Sequence, residues 1–353
     1  MLAPLTLRRR LLLAVGSAAT VVALAACTSN APPDEDTDAT DGGGQQQAVS
    51  DNDAPGDDIV IGFSGPAADH GWLGAINSAA LAEADKFDDV ELRVAEGTND
   101  ANLQISQVET FINDGVDAIV LLPTDGAALT DVAIRAMQAG IPVVNVDREF
   151  SSTTAARVTV LGDNYGMGYS AGTYICGELG DQADAVIAEI AGIDSLPLTQ
   201  DRSQGFADAL DTCGLSVSNR VAADFTIQGG QAATANLLQA APHIDAIWNH
   251  DDDQGVGVLA AIDEAGRDEF FLVGGAGSAN MMREIQSGDS VVRATVIYPA
   301  TQAADGIRLA RLLAQDKSMS DLVEISVPRV VQLYAPVVTA DNVDQFLPTA
   351  FES

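Results

Sequence analysis

Three consecutive aspartates, Asp251, Asp252 and Asp253, follow an apolar run typical of a buried strand and precede a segment typical of a helix. Carboxylates at such a junction suit four roles: metal ligand, acid/base pair, helix cap or polar lining of a pocket. The histidines His70, His243 and His250 lack the four-residue spacing of a helical metal site, so we predict no metal. We expect Asp251 to point into a cleft and its two neighbours to cap the helix.

Other polar and aromatic side chains also follow apolar runs of the chain. They are Asp69, Trp72, Asp147, Arg148, Arg202, Phe225 and Tyr298. Carboxylates accept hydrogen bonds from sugar hydroxyls, arginines donate them, and flat aromatic rings cover the C–H faces of a sugar. Each residue taken alone also suits a cap, a salt bridge or core packing. Their recurrence at the ends of predicted strands favours a ligand site.

The elements that must position these side chains are strands that alternate with helices. Apolar, β-branched runs occur at 59–63, 91–95, 117–122, 142–146, 157–161, 185–190, 215–222, 245–248, 270–274 and 291–298. Amphipathic stretches separate them, and unbroken apolar strands indicate parallel sheets that are covered on both faces. Because so many strands exceed one ordinary sheet, we predict an α/β protein with two doubly wound parallel-sheet lobes. A ligand then lies at the carboxyl ends of the strands.

Several motifs in this order resemble a known family. The segments "PVVNVDRE" (142–149), "DRSQGF" (201–206), "HDDDQGVGVLAAI" (250–262) and "ATVIYP" (294–299) resemble the type I solute-binding proteins of the ribose/galactose group. The resemblance implies the type I periplasmic binding protein fold, with two lobes joined by a three-stranded hinge. It places residues 58–162 plus 297–331 in the N-terminal lobe and 163–296 plus 332–345 in the C-terminal lobe. It also implies a monomeric receptor for an ABC importer, with permease and ATPase subunits as partners.

The resemblance assigns roles to the residues at the strand ends. Trp72 and Phe225, from opposite lobes, are expected to enclose the apolar faces of a monosaccharide or sugar alcohol. The hydroxyls are expected to be held by Asp69, Asp147 and Arg148 from the first lobe and by Arg202 and Asp251 from the second. Tyr298 falls near the last hinge contact of the family, although the spacing here is looser.

Two positions depart from the pattern of close sugar binders. Ala276 stands where an aspartate is usual, and Asp251 stands where asparagine is frequent. A cavity with Asp69, Asp147 and Asp251 also suits a cationic small molecule, and this alternative stays open. A second alternative is a sensory solute receptor that reports to a membrane kinase or chemoreceptor, since both kinds of receptor use the same closing lobes.

Composition and motifs exclude several other classes. The net charge is −34 and lysine occurs only at Lys86 and Lys317, so nucleic acid and anionic lipid surfaces are unsuitable partners. The chain lacks a nucleophile elbow and a phosphate-binding P-loop, and no cofactor is predicted. Arginine partners keep cleft carboxylates ionised, which disfavours an acid role, so we predict that the protein is not an enzyme.

The N-terminal segment has the organisation of an export signal. Three arginines, a short apolar stretch and "LAAC" (24–27) resemble the signal peptide and lipobox of a bacterial lipoprotein. We predict a signal peptide over 1–26, lipidation of Cys27, and a disordered acidic tether over 27–57. The protein is then held on the outer face of the cytoplasmic membrane, and its lipid anchor is its only membrane contact.

The chain has two further cysteines, Cys176 and Cys213. Two cysteines in an exported protein favour a disulfide, and two buried free thiols are the alternative.

Overall fold

The structure, a computed structural model, describes residues 52–180, 182–319 and 326–353. The predicted signal peptide, the predicted lipidation site Cys27 and most of the predicted tether lie outside these residues. Within the described residues, no helix is both long enough and apolar enough to cross a membrane.

In the part of the chain that the structure describes, twelve strands form two six-stranded sheets. The strands are β1 (Ile59–Ser64), β2 (Val90–Val94), β3 (Ala118–Leu121), β4 (Val143–Val146), β5 (Val158–Gly162), β6 (Ile187–Ala191), β7 (Val217–Ala222), β8 (Ala246–Asn249), β9 (Phe271–Ala276), β10 (Val292–Ile297), β11 (Val330–Leu333) and β12 (Val337–Thr339). The first sheet has the order β2-β1-β3-β4-β5-β11 and the second has β7-β6-β8-β9-β10-β12. All paired strands are parallel except β12, which is antiparallel to β10.

Helices cover both faces of each sheet. They are α1 (Gly71–Ala84), α2 (Ala101–Asp114), α3 (Gly126–Gln138), α4 (Asn164–Leu179), α5 (Pro197–Asp211), α6 (Ile227–Ala240), α7 (Asp252–Ala265), α8 (Ala279–Ser287), α9 (Gln302–Ala314) and α10 (Val343–Phe346), followed by a 3₁₀ turn at Leu347–Thr349. In the first lobe α1 packs beside α9, and α2 packs beside α3; in the second lobe α4 packs beside α5, and α6 beside α7. The two doubly wound lobes predicted from the apolar runs are therefore present.

Among its described elements, the chain passes between the sheets three times. The crossings lie between β5 and α4, between β10 and α9, and between β11 and β12. The predicted boundary between 331 and 332 falls inside β11, which pairs with β5 as far as Leu333, so the third crossing lies at 334–336. β11 is a short edge strand in which exposed and half-buried residues alternate. Such a strand gives only a weak sequence signal for where it ends.

A disulfide joins the ends of two neighbouring helices in the second lobe. Cys176 lies in the last turn of α4 and Cys213 follows α5; their Cα atoms are 6.0 Å apart. The bond closes a loop of 37 residues. In the chain-entropy model this constrains the unfolded chain enough to contribute about 4 kcal/mol of stability.

Candidate functional site

A small cavity lies between the two lobes, where the carboxyl ends of their strands face each other. Its lining consists of His70, Trp72, Asp147, Arg148, Leu198, Arg202, Phe225, Asp251 and Tyr298. All predicted cleft residues except Asp69 are therefore brought together, with His70 and Leu198 in addition. The cavity has a volume of about 30 Å³, room for about two water molecules. A ligand larger than this enters only when the lobes move apart or side chains shift.

Asp147 and Arg148 form one wall, directly after β4. Asp147 has a φ of 63°, a left-handed conformation that aspartate tolerates better than most residues, and its backbone N–H donates to Val160. The Nη1 of Arg148 donates to the carbonyl of Thr124 at 2.9 Å, and its Nε lies 4.0 Å from Asp147 Oδ2. The Arg148 Nε is buried and has no hydrogen-bond partner. A buried donor of this kind is costly unless a ligand oxygen accepts from it.

Tyr298 connects this wall to the hinge. Its hydroxyl donates to Asp147 Oδ1 at 2.5 Å and accepts from Asn164 Nδ2 at 3.1 Å, while its carbonyl accepts from Trp72 Nε1 at 3.1 Å. Burial, together with the charge of Asp147, raises the pKa of Tyr298, so the phenol stays protonated and remains a donor. The ring fits only because position 162 is glycine, since a side chain there would collide with it.

Arg202 occupies the middle of the opposite wall and is 4% exposed. Its Nε donates to Asn164 Oδ1 at 2.9 Å and its Nη1 donates to the carbonyl of His250 at 3.0 Å. The guanidinium carbon lies 4.6 Å from the ring centre of Tyr298 and 5.9 Å from that of Phe225. Arg202 is thus a fixed cation between two aromatic rings, where the faces of the rings stabilise its charge.

The three consecutive aspartates have three different roles. Asp251 lines the cavity, as expected, and it is also the N-cap of α7, accepting from the N–H groups of Asp253 at 2.8 Å and Gln254 at 3.3 Å. Asp252 accepts from the N–H groups of Gly275 and Ser278, both at 2.7 Å, and so braces the loop after β9. The expectation that Asp252 and Asp253 cap α7 is wrong, because the helix begins earlier than that expectation required, at Asp252, and its N-cap is Asp251.

Burial raises the pKa of both Asp251 and Asp252. For Asp251 the pKa rises to about 6, with a further contribution from the charge of Asp253. For Asp252 it rises to about 8, even though hydrogen bonds from Ser278, Thr295 and Gly275 lower it. The carboxyl group that faces the cavity is therefore close to its titration range at neutral pH.

Asp253 reaches across to the first lobe. Its carboxylate accepts from the N–H groups of Gly71 at 3.1 Å and Trp72 at 2.9 Å, and lies 3.1 Å from His70 Nδ1. Burial lowers the pKa of His70, but the hydrogen bond with Asp253 and the charges of nearby aspartates outweigh it and raise the pKa overall. Asp69 lies outside the cavity: its side chain is half exposed and accepts from Asn99 Nδ2 at 2.9 Å.

His250 lies beneath the cavity in the second lobe and is fully buried. Its Nε2 is 2.9 Å from Glu189 Oε1, and its Nδ1 accepts from the N–H of Gly192 at 3.4 Å. Burial lowers the pKa of His250 to about 4, so it is a neutral imidazole that donates to Glu189. In the ranges that the structure describes, no three His, Cys, Asp or Glu side chains are grouped as metal ligands.

Sequence reasoning missed three residues of this region. His70 and Leu198 line the cavity and Asp253 joins the lobes. His70 is adjacent to the predicted Asp69, and the direction of each side chain depends on where α1 begins. The sequence does show that α1 lacks a usual capping residue, because "DHGW" (69–72) has a histidine at the position that precedes the helix.

Two α/β lobes, three crossings and a cavity between the carboxyl ends define a periplasmic solute-binding protein of type I. The chain belongs to the family described as periplasmic binding protein domain, which matches residues 61–318. It is 33% identical over 221 residues to the ribose import binding protein of Bacillus subtilis, covering 61% of this chain and 70% of the relative.

Two solved structures show the same fold. One is an ABC transporter solute-binding protein from Mycobacterium smegmatis with bound glycerol: 27% identity, TM-score 0.72, covering 82% of this chain and 96% of that one. The other is the fructose-binding periplasmic domain of a hybrid two-component system: 26% identity, TM-score 0.71, covering 82% and 93%. These relatives are named as binding proteins and not as enzymes.

Proposed function

We propose that this protein is the extracytoplasmic sugar-binding component of an ABC importer and binds a monosaccharide or sugar alcohol between its lobes. The observation that carries the proposal is the composition of the cavity. Rings from both lobes, Trp72 and Phe225, stand with two aspartates and two arginines around one small space. Rings cover sugar C–H faces, and charged groups bind hydroxyls in both directions. The similarity to a ribose import protein supports the same ligand class.

The charges of the cavity favour a neutral ligand over a cation. Asp147 and Asp251 are offset by Arg148 and Arg202, and the other titratable groups of the lining are His70 and Tyr298. A cationic ligand would bring Arg148 and Arg202 close to a like charge in a site with little water, which is unfavourable. A polyhydroxylated ligand satisfies donors and acceptors without adding charge.

The ligand holds the lobes together because it contacts both. Asp147 and Arg148 belong to the first lobe, and Arg202 and Asp251 belong to the second. Contacts with both sets exist only when the lobes are closed, so binding shifts the population towards the closed form. We propose that permease and ATPase subunits recognise this form, and that the receptor acts as a monomer.

Isothermal titration calorimetry with D-ribose, D-allose, D-fructose, myo-inositol and glycerol tests the proposal. We expect at least one to bind with a Kd of about 10 μM or below, as closure of both lobes on a neutral polyol allows. A basic ligand, putrescine, serves as the matched comparison and is expected not to bind. Failure of every polyol together with tight binding of putrescine would overturn the proposal. Recovery of the bound sugar unchanged after long incubation would distinguish a receptor from an enzyme.

We also propose that Cys27 is lipidated and anchors the protein on the outer face of the cytoplasmic membrane. This residue lies outside the described part of the chain, and the support is the sequence "LAAC" (24–27) after a basic, apolar leader. We expect Cys27→Ser to leave the chain unprocessed or to release it from the membrane fraction. Metabolic labelling with a palmitate analogue checks this, and an unchanged membrane fraction with no label in either protein would contradict it.

A sensory receptor is the second candidate function. One observation favours it: the structural similarity to the fructose-binding domain of a hybrid two-component system. Both candidates bind sugar in the cleft, so calorimetry does not separate them. Deletion of the gene separates them, because loss of sugar uptake indicates import and loss of sugar-induced transcription alone indicates signalling.

A further inference from the structure

Helix α1 begins without a capping side chain from its own segment. Its N-cap position is His70, whose side chain makes no capping hydrogen bond. In contrast, α2, α3, α4, α6, α7 and α8 each begin with a side chain that accepts from the first turn. The first N–H groups of a helix need acceptors, and an aspartate is among the best.

The acceptor for α1 comes from the other lobe. The two carboxylate oxygens of Asp253 accept from the N–H groups of Gly71 and Trp72 at 3.1 and 2.9 Å. Asp253 is 3% exposed and stands at the start of α7 in the second lobe. It does not line the cavity. The contact is therefore a helix cap in trans, made across the seam between the lobes.

We propose that Asp253 is a positioning residue that holds the closed form of the receptor by capping α1 of the opposite lobe. Because His70 and Trp72 both line the cavity, the cap also fixes two side chains that face the ligand. When the lobes separate, the hydrogen bonds to Asp253 break and the first N–H groups of α1 donate to water instead. Closing the lobes thus restores a charge-assisted contact that the first lobe does not supply itself.

Gly71 is the counterpart of Asp253 on the first lobe. A methyl group on its Cα would lie 2.6 Å from Asp253 Oδ1 and 2.9 Å from the Cα of Ser353. Residues 351–353 lie on α8 of the second lobe, where Phe351 accepts from the N–H of Ala279 at 2.7 Å. The second lobe therefore approaches α1 this closely only because residue 71 has no side chain. Gly74, one turn further along α1, has open space around it.

Hydrogen exchange measures the cap without any ligand. We expect Asp253→Ala to lower the protection of the Gly71 and Trp72 amides against exchange about tenfold. Asp263 is an exposed acid on the same helix, and we expect Asp263→Ala to leave this protection unchanged. Thermal unfolding of each variant establishes that it is folded. Equal protection of these amides in wild type and folded Asp253→Ala would overturn the proposal.

Binding kinetics with D-ribose measure the consequence and rest on the proposed function. We expect Asp253→Ala and Gly71→Ala to raise the dissociation rate about tenfold with little change in the association rate, because the contact exists only after closure. Gly74→Ala is the matched control and is expected to match wild type. If ribose fails to bind the wild type while the exchange result holds, the ligand assignment is wrong and the cap stands. Unchanged dissociation from both variants would overturn the cap's role in closure.

Discussion

Replacing Arg148 by alanine is expected to lower the affinity for the bound sugar about a hundredfold or more. Arg148 lines the cavity, is anchored through Thr124 and has a buried Nε without a partner. A sugar hydroxyl that accepts from this group gains a charge-assisted hydrogen bond in a dry site. Its removal also leaves Asp147 without its neighbouring cation, and the two losses together amount to several kcal/mol.

Calorimetry with the sugar that binds wild type best measures this loss. Arg135→Ala is the matched control, since it removes an arginine from the same lobe that is half exposed and paired with Glu109 on the surface. We expect the control to bind like wild type. Arg148→Lys should fall between the two, because a lysine keeps the charge but has no fixed planar fork of donors. If folded Arg148→Ala binds the sugar with wild-type affinity, the ligand does not contact the side of the cavity formed by Asp147 and Arg148.

The lobes and most of the cavity could be predicted from the sequence because they follow from repeated patterns. Unbroken apolar runs mark buried parallel strands, and residues that follow them, such as Asp147, Phe225 and Asp251, must lie at one edge of a sheet. The alternation of apolar strands and amphipathic helices locates each strand end to within a residue or two. This precision is sufficient to predict that such residues lie at the cleft.

Roles that depend on a single residue of register could not be predicted in this way. Asp251, Asp252 and Asp253 are chemically identical neighbours, and a rotation of about 100° per residue separates their directions at the start of α7. One therefore caps, one braces a loop and one crosses to the other lobe. Asp69 and His70 present the same difficulty at the start of α1, where only the second lines the cavity.

A contact between groups in different lobes also cannot be predicted from a sequence pattern. The absence of a cap before α1 can be seen in the sequence, but the position of its acceptor, 182 residues further on in Asp253, depends on how the lobes close. Likewise the end of β11 depends on its pairing with β5 and not on its own residues, so the boundary predicted from the sequence falls before the observed third crossing.

Replacing Arg311 by alanine is expected to lower the free energy of unfolding by about 3–5 kcal/mol, the usual cost of breaking a buried ion pair from one side. Arg311 is 2% exposed on α9, and its Nε and Nη2 donate to Asp89 at 2.8 and 2.5 Å. The same guanidinium donates to the carbonyls of Asn52 and Ala54, so it also fixes the chain as it enters β1. The hydrogen bonds from Arg311 hold the pKa of Asp89 well below its usual range.

Urea unfolding followed by tryptophan fluorescence at pH 7 measures the loss, and Arg93→Ala is the control. Arg93 pairs with Glu91 on the surface of the same lobe and is 41% exposed, so its removal should cost far less stability than the removal of Arg311. Because the pKa of Asp89 is lowered in the folded protein, the stability from this pair is full above the ordinary pKa of an aspartate and declines as the pH falls below it. The difference between wild type and Arg311→Ala should therefore shrink in acid. A loss no larger than that of Arg93→Ala, or a difference that does not change between pH 7 and pH 3, would show that the pair does not carry this stability.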